Sequence, residues 1–284
     1  GNVKSVEVLW ESFGTDEMPN VGDLIASADY KDGYIRFSTP ENFRDGNAVI
    51  AAKNSKGIIL WSWHIWCAEE GWQEQVYAND AGTMMDRNLG ATSATPGNLG
   101  ALGLLYQWGR KDPFLGASSS SSYSFAVSTG VWDDSSDHIS SHTYCEKNPM
   151  TMFVSIRLPR ESWQSEKTAC DPCPAGWRVP DGGDDGIWKK AGFSDKKYDF
   201  YNRGMLFDDG VSVPSAWYPG AGYRSSNSGS PLARSEGLYW SVLSRFVDSD
   251  MYSEASYFGL SDSGRIVLDW RWTNDALSVR CCKE

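Results

Sequence analysis

Histidine is scarce in this chain, clustered cations are missing, and no long apolar run occurs. Three histidines are present in 284 residues, and His138 and His142 share one polar stretch. No Ser-His-Asp arrangement is suggested. No run of Lys or Arg exceeds two residues, and the net charge is −11. Both argue against a nucleic-acid partner, which needs clustered positive charge. No apolar stretch approaches the ~20 residues that cross a bilayer as a helix, so no transmembrane segment is expected. A secretory signal is not visible either, which is uninformative for a chain that opens at Gly1.

What is abundant is tryptophan: fourteen residues, with Gly, Ser, Asn and Asp filling the spaces between them. That make-up points to a β-rich extracellular module with long ordered loops. Six cysteines point the same way, although a chain of this size does not need staples to fold. The organising stretch is Cys170-Asp171-Pro172-Cys173-Pro174-Ala175-Gly176-Trp177-Arg178-Val179-Pro180. Three prolines, a glycine and two cysteines there exclude a regular helix or a central strand. They describe a rigid turn that delivers a short strand, residues 177–179, into a core. Asp181 is then placed to cap a helix over 181–191.

Residues 3–67 carry strand signals. Val6, Val8 and Trp10 alternate, Asp32-Gly33 and Asp45-Gly46 are turn dipeptides, and 58–67 is apolar on nearly both faces. The last of these predicts a central, doubly covered strand. The expected fold is α+β. A small N-terminal antiparallel β-sandwich (1–69) is followed by a larger domain (70–284) with two short helices and long loops. Within it, Leu102, Leu105, Tyr106 and Trp108 predict a helix over 98–109, and 117–124 is a serine tract. Ile266, Leu268, Trp270 and Trp272 share one face of a strand. Asn274-Asp275 then turns the chain, with Leu277, Val279 and Cys281 facing inward and Ser278, Arg280 and Cys282 outward. Together these predict a terminal hairpin.

Five motifs occur in order: Met85-Asp86-Arg87-Asn88-Leu89-Gly90-Ala91, Leu105-Tyr106-Gln107-Trp108-Gly109-Arg110-Lys111-Asp112-Pro113-Phe114, Cys173-Pro174-Ala175-Gly176-Trp177-Arg178-Val179-Pro180, Tyr239-Trp240-Ser241 and Ser278-Val279-Arg280-Cys281. Residues 72–284 thereby resemble the Fibrobacter succinogenes major paralogous domain of Bacteroidetes fimbrillin-type surface proteins. The stretch Leu60-Trp61-Ser62-Trp63-His64-Ile65-Trp66 resembles the segment that precedes that domain. The resemblance implies a C-type-lectin-like fold of the formylglycine-generating-enzyme subtype. It implies a cell-surface location, anchored to the outer membrane through upstream residues, and a role in adhesion or at a pilus tip. The partner would be a glycan or a host protein, with pilin subunits as neighbours. A structural pilus subunit without an external ligand is the alternative, and a degenerate oxidase a further one.

Cys173 precedes the buried Trp177 and Cys281 lies on the inward face of the last strand, so these two are the expected disulfide. Cys170 is the nearest candidate for Cys282, and Cys67 and Cys145 are left over. A redox Cys170-x-x-Cys173 pair is disfavoured by the prolines around Cys173. A zinc site using the adjacent terminal cysteines is disfavoured because adjacent ligands point to opposite faces of a strand. Adjacent Cys281-Cys282 also departs from the spaced pair that a formylglycine-generating oxidase requires. Trp272-Thr273-Asn274-Asp275 imitates half of a calcium-lectin signature, and the other half is missing. Asp133, Asp134, Asp137, His138 and His142 form the one dense ligand-capable cluster, with solvated loop as its plainer role. Asp181, Asp184 and Asp185 form a second acidic group, read as helix capping. His64 is expected to be a hydrogen-bonded core residue. No catalytic residue, metal or cofactor is expected. The expected binding platform is Trp217, Tyr218, Tyr223, Arg224, Tyr252 and Tyr257, since aromatic rings supply contact area at little entropy cost.

Overall fold

The computed structural model of the chain describes residues 2–14, 17, 19–116, 131–133, 141–208, 212–213, 215–227, 236–247 and 252–284; at 131–133, 212–213 and 252 the backbone alone is described. The serine tract lies outside these residues. The fold is α+β and dominated by strand. The first third carries β1 (Ser5–Ser12), β2 (Ser27–Lys31), β3 (Tyr34–Ser38), β4 (Gly46–Lys53) and β5 (Ile59–Cys67). β1, β4 and β5 form an antiparallel sheet with β4 in the middle. Alanines at 48, 51 and 52 keep β4 slim enough to be covered on both faces, and every residue from Gly46 to Ala52 is buried. Asp32 (φ 54°) and Gly33 (φ 85°) make the turn between β2 and β3, as their dipeptide predicts.

Phe13, Leu24, Ile25, Ala48 and Cys67 fill a small core on one side of this sheet. From the other side, Trp10 and Val49 join the largest core of the protein, together with Met85, Leu89, Trp108, Trp177, Trp240, Leu277 and Cys281. Trp10 and Val49 thus pack with residues from beyond position 70.

The remaining elements are β6 (Glu74–Tyr77), β7 (Gly82–Met85), β8 (Leu104–Gln107), β9 (Phe114–Leu115), β10 (Val131–Asp133), α1 (His142–Lys147), β11 (Thr151–Phe153), β12 (Trp177–Arg178), α2 (Ile187–Ala191), β13 (Gly204–Phe207), β14 (Ser212–Val213), β15 (Ala216–Pro219), β16 (Glu236–Val247), β17 (Tyr252–Ser261), β18 (Ile266–Trp272), β19 (Ala276–Ser278) and β20 (Cys282–Lys283). A five-stranded sheet runs β12-β20-β7-β6-β14, and a six-stranded sheet runs β18-β17-β16-β19-β8-β9.

The proline-rich turn is tied to the chain's end. Cys173 is bonded to Cys281 with Cα atoms 5.9 Å apart, and Trp177 and Arg178 pair with Lys283 and Cys282. Inside the turn, the Asp171 carboxylate accepts the N–H groups of Cys173 and Val179 at 2.9 Å each. Lys167 donates to Asp171 (2.8 Å) and to the carbonyls of Cys173 (2.6 Å) and Trp177 (2.9 Å). Every donor of this ammonium is used.

Four expectations are corrected. The predicted helix over 98–109 is a 3-10 turn, Leu99–Ala101, followed by β8. Gly103 (φ 71°) breaks it: a Cβ there would meet the Leu89 carbonyl oxygen at 2.8 Å. β8 pairs with β9 and β19, and these pairings override the helical spacing. The predicted helix over 181–191 starts only at Ile187, because Gly182, Gly183 and Gly186 interrupt its first half. Asp181 does not cap it; its carboxylate pairs with Arg178 at 2.6 Å. The terminal hairpin is absent: β18 pairs with β17, whereas β19 lies between β16 and β8. Ser278, Arg280 and Cys282 are buried rather than outward. Finally, β5 is an edge strand, not a central one.

Candidate functional site

The edge position of β5 leaves its tryptophans beside an open cleft. Seven described tryptophans are buried: 10, 108, 163, 177, 188, 217 and 240. Of the six described tryptophans that stay at least partly open, Trp61, Trp63, Trp66 and Trp72 surround this one cleft. Its opposite wall is the proline-rich turn, through Asp171, Pro172, Cys173 and Pro174. The volume is about 390 Å³, within the ~300–1,000 Å³ typical of small-ligand pockets.

The rings are held in place from behind. Trp66 donates its indole N–H to the Ala91 carbonyl at 3.1 Å and stacks on Trp72 with centroids 5.2 Å apart. Trp72 in turn meets the edge of Trp177 at 6.3 Å. Lys111 places its ammonium 4.5 Å over the Trp61 ring, a cation–π contact. Trp63 is the most exposed ring of the four, at 36%.

The polar groups of the cleft are committed to one another. Ser62 donates to Asp112 at 2.5 Å. Lys111 donates to the Ser62 carbonyl (3.0 Å), the Ser62 hydroxyl (2.6 Å) and Asp112 (2.8 Å). His64 lies on β5, 2.9 Å from Asn47 Oδ1 through Nε2. Since the Asn47 amide nitrogen donates to the Gly90 carbonyl at 2.8 Å, Asn47 Oδ1 accepts and His64 Nε2 carries the proton. Nδ1 then accepts from the Tyr106 hydroxyl at 3.4 Å. Burial pushes the His64 pKa down to about 3, so the ring is neutral at physiological pH and bonded as expected.

The expected platform is mostly core. Tyr218 is fully buried, its hydroxyl bonded to Tyr77 (2.6 Å) and to the Trp188 indole (2.9 Å). Trp217 is 4% exposed and its carbonyl accepts from Arg280 at 2.6 Å. The Arg280 guanidinium sits 3.9 Å over the Tyr218 ring. Among the described residues no carboxylate is bonded to this buried cation. Arg224 is buried beside Phe114, and that burial lowers its pKa to about 10. Tyr223 and Tyr257 are half-buried against the main core, with Arg271 3.7 Å over the Tyr223 ring. The Tyr252 side chain lies outside the described residues, as do the side chains of Asp133, Asp134, Asp137 and His138.

The missed residues are Trp61, Trp63, Trp72 and Lys111. The signal was present in Trp61-Ser62-Trp63-His64, where polar residues alternate with rings as in a half-exposed strand.

The cysteines give no redox couple, because Cys173 is spent on Cys281. Cys170 is not paired with Cys282; both are free, as are Cys67 and Cys145. The Cys170 sulfur lies 3.3 Å from His142 Nδ1, and His142 Nε2 lies 3.0 Å from the Ser162 hydroxyl. Burial pushes the Cys170 thiol up to about 11 and lowers the His142 pKa, so the pair is thiol and neutral imidazole at pH 7, not an activated nucleophile. Asp275 is engaged by Ser226 and Arg271, which fits a turn anchor. Among the described residues, no group of three His, Cys, Asp or Glu is placed to hold a metal ion. No family model, curated protein or solved structure matches this chain.

Proposed function

We propose that the chain is a cell-surface binding protein of the adhesin type, whose contact surface is the cleft between β5 and the proline-rich turn. The observation that carries this reading is the gathering of four partly open tryptophans around one cleft in a protein that buries seven others. Rings kept partly open at one place, with Trp63 exposed and Trp66 and Trp72 backed by the main core, are what a recognition surface needs. The disulfide suits a compartment outside the reducing cytoplasm. The five motifs supply the link to fimbrillin-type proteins and to a lectin-like scaffold, with a glycan or a host protein as ligand.

A second reading has its own support. β18 forms the outer edge of the six-stranded sheet and exposes Leu268 and Trp272. That edge suits contact with neighbouring pilin subunits in a structural role.

A binding screen of the full chain against glycans and matrix proteins tests the adhesin reading, with Trp63→Ala alongside. Removing a stacking tryptophan should cost about 2 kcal/mol, or roughly 30-fold in affinity. Polymerisation with pilin subunits and no ligand in the screen would favour the structural role instead.

A further inference from the structure

The open cleft has an unusual chemical balance. Both of its ion pairs are closed within the protein: Lys111 with Asp112, and Lys167 with Asp171, each at 2.8 Å. An acidic or basic ligand segment would meet no free counter-charge there, so charge complementarity selects a neutral one. The side-chain acceptors are equally committed. Ser62 accepts from Lys111, both Asp171 oxygens accept main-chain N–H groups, and His64 is held by Asn47 and Tyr106. Among the described residues, the indole N–H groups of Trp61, Trp63 and Trp72 have no acceptor, whereas that of Trp66 is used. The cleft's side chains thus offer ring faces and donors, and hardly any acceptor.

We propose that this cleft takes a neutral, proline-rich segment of another protein in the extended polyproline II conformation. The proposal rests on the adhesin reading above and names the ligand class for the same site. Proline carries no N–H, so such a segment presents carbonyl acceptors and asks for no acceptor in return. Its backbone makes no internal hydrogen bonds, which leaves those carbonyls free for indole donors. Its rings are flat apolar bodies that fit between tryptophans, and its conformation is largely formed before binding. A sugar differs in the deciding respect: each hydroxyl it buries brings a proton that needs an acceptor, and a donor left unpaired weakens binding. Pro172 and Pro174 complete an apolar opposite wall.

The test uses the full chain with two uncharged probes, a synthetic decaproline peptide and a neutral linear hexasaccharide, followed by calorimetry and by the indole N–H signals in NMR. Decaproline should bind and shift the indole signals of Trp61, Trp63 and Trp72, assigned with single Trp→Phe variants. Trp63→Ala should weaken it at least tenfold, and Trp272→Ala, on the β18 edge and outside the cleft lining, should not. If Trp63→Ala fails to fold, Trp63→Phe serves: its ring remains but its donor is gone, and a several-fold loss is expected. No decaproline binding, or binding indifferent to both Trp63 variants, overturns the proposal. Hexasaccharide binding that depends on Trp63, without decaproline binding, overturns the ligand class and leaves the cleft standing. A screened ligand whose binding ignores Trp63 removes the cleft itself.

Discussion

Breaking the Cys173–Cys281 bond should lower stability sharply without unmaking the native contacts around it. The bond closes a loop between residues 108 apart in sequence. The chain-entropy expression, −2.1 − 1.5R ln n cal/mol/K, assigns such a loop about 4.8 kcal/mol at 25 °C. A cooperative unit of this length unfolds with an entropy of about 0.6 kcal/mol/K, so the midpoint should fall by about 8 °C. The substitution must be chosen with care. Cys281 is fully buried, and serine there would add an unpaired hydroxyl to the loss. The double variant Cys173→Ala/Cys281→Ala isolates the crosslink better. Native geometry should persist, because Asp171 still gathers the two N–H groups and Lys167 still bridges Cys173 and Trp177. Calorimetric scans of the wild type and the double variant, each with and without dithiothreitol, provide the measurement. Reductant should move the wild type alone. The urea m-value of the variant should rise, since its unfolded chain exposes more surface. Equal midpoints in all four samples would refute the argument that the turn is stapled to the last strands.

Two further outcomes are expected. Asp171→Asn removes the charge partner of Lys167 from a side chain with no exposure, and should destabilise by about 3–5 kcal/mol; a thermal midpoint within a degree of the wild type would show that the carboxylate does not hold the turn. His64 takes a proton near pH 6.5 when unfolded and only near 3 when folded, so between these values the unfolded state binds more protons and stability falls on acidification, by up to about 1.4 kcal/mol per pH unit. His64→Gln keeps a donor for Asn47 and should shrink the difference in midpoint between pH 7 and pH 4.5, an effect that an unchanged difference would disprove.

Much of this protein follows from local sequence. The Asp32-Gly33 turn and the strand at Trp177 are legible there. Prolines, glycines and alternating apolar positions restrict the backbone wherever the chain lies. Side-chain identity alone, however, does not reveal what will cover a given face. Trp63 and Trp217 look alike in sequence, yet β5 ends a sheet and leaves Trp63 in water, while Trp217 is 4% exposed on β15, where Arg280 bonds its carbonyl. Strand order decided the first, and the second lies on a strand whose backbone is tied to Arg280, at a sequence separation of 63. Both are long-range pairings, and a pattern of neighbours along the chain contains no record of them.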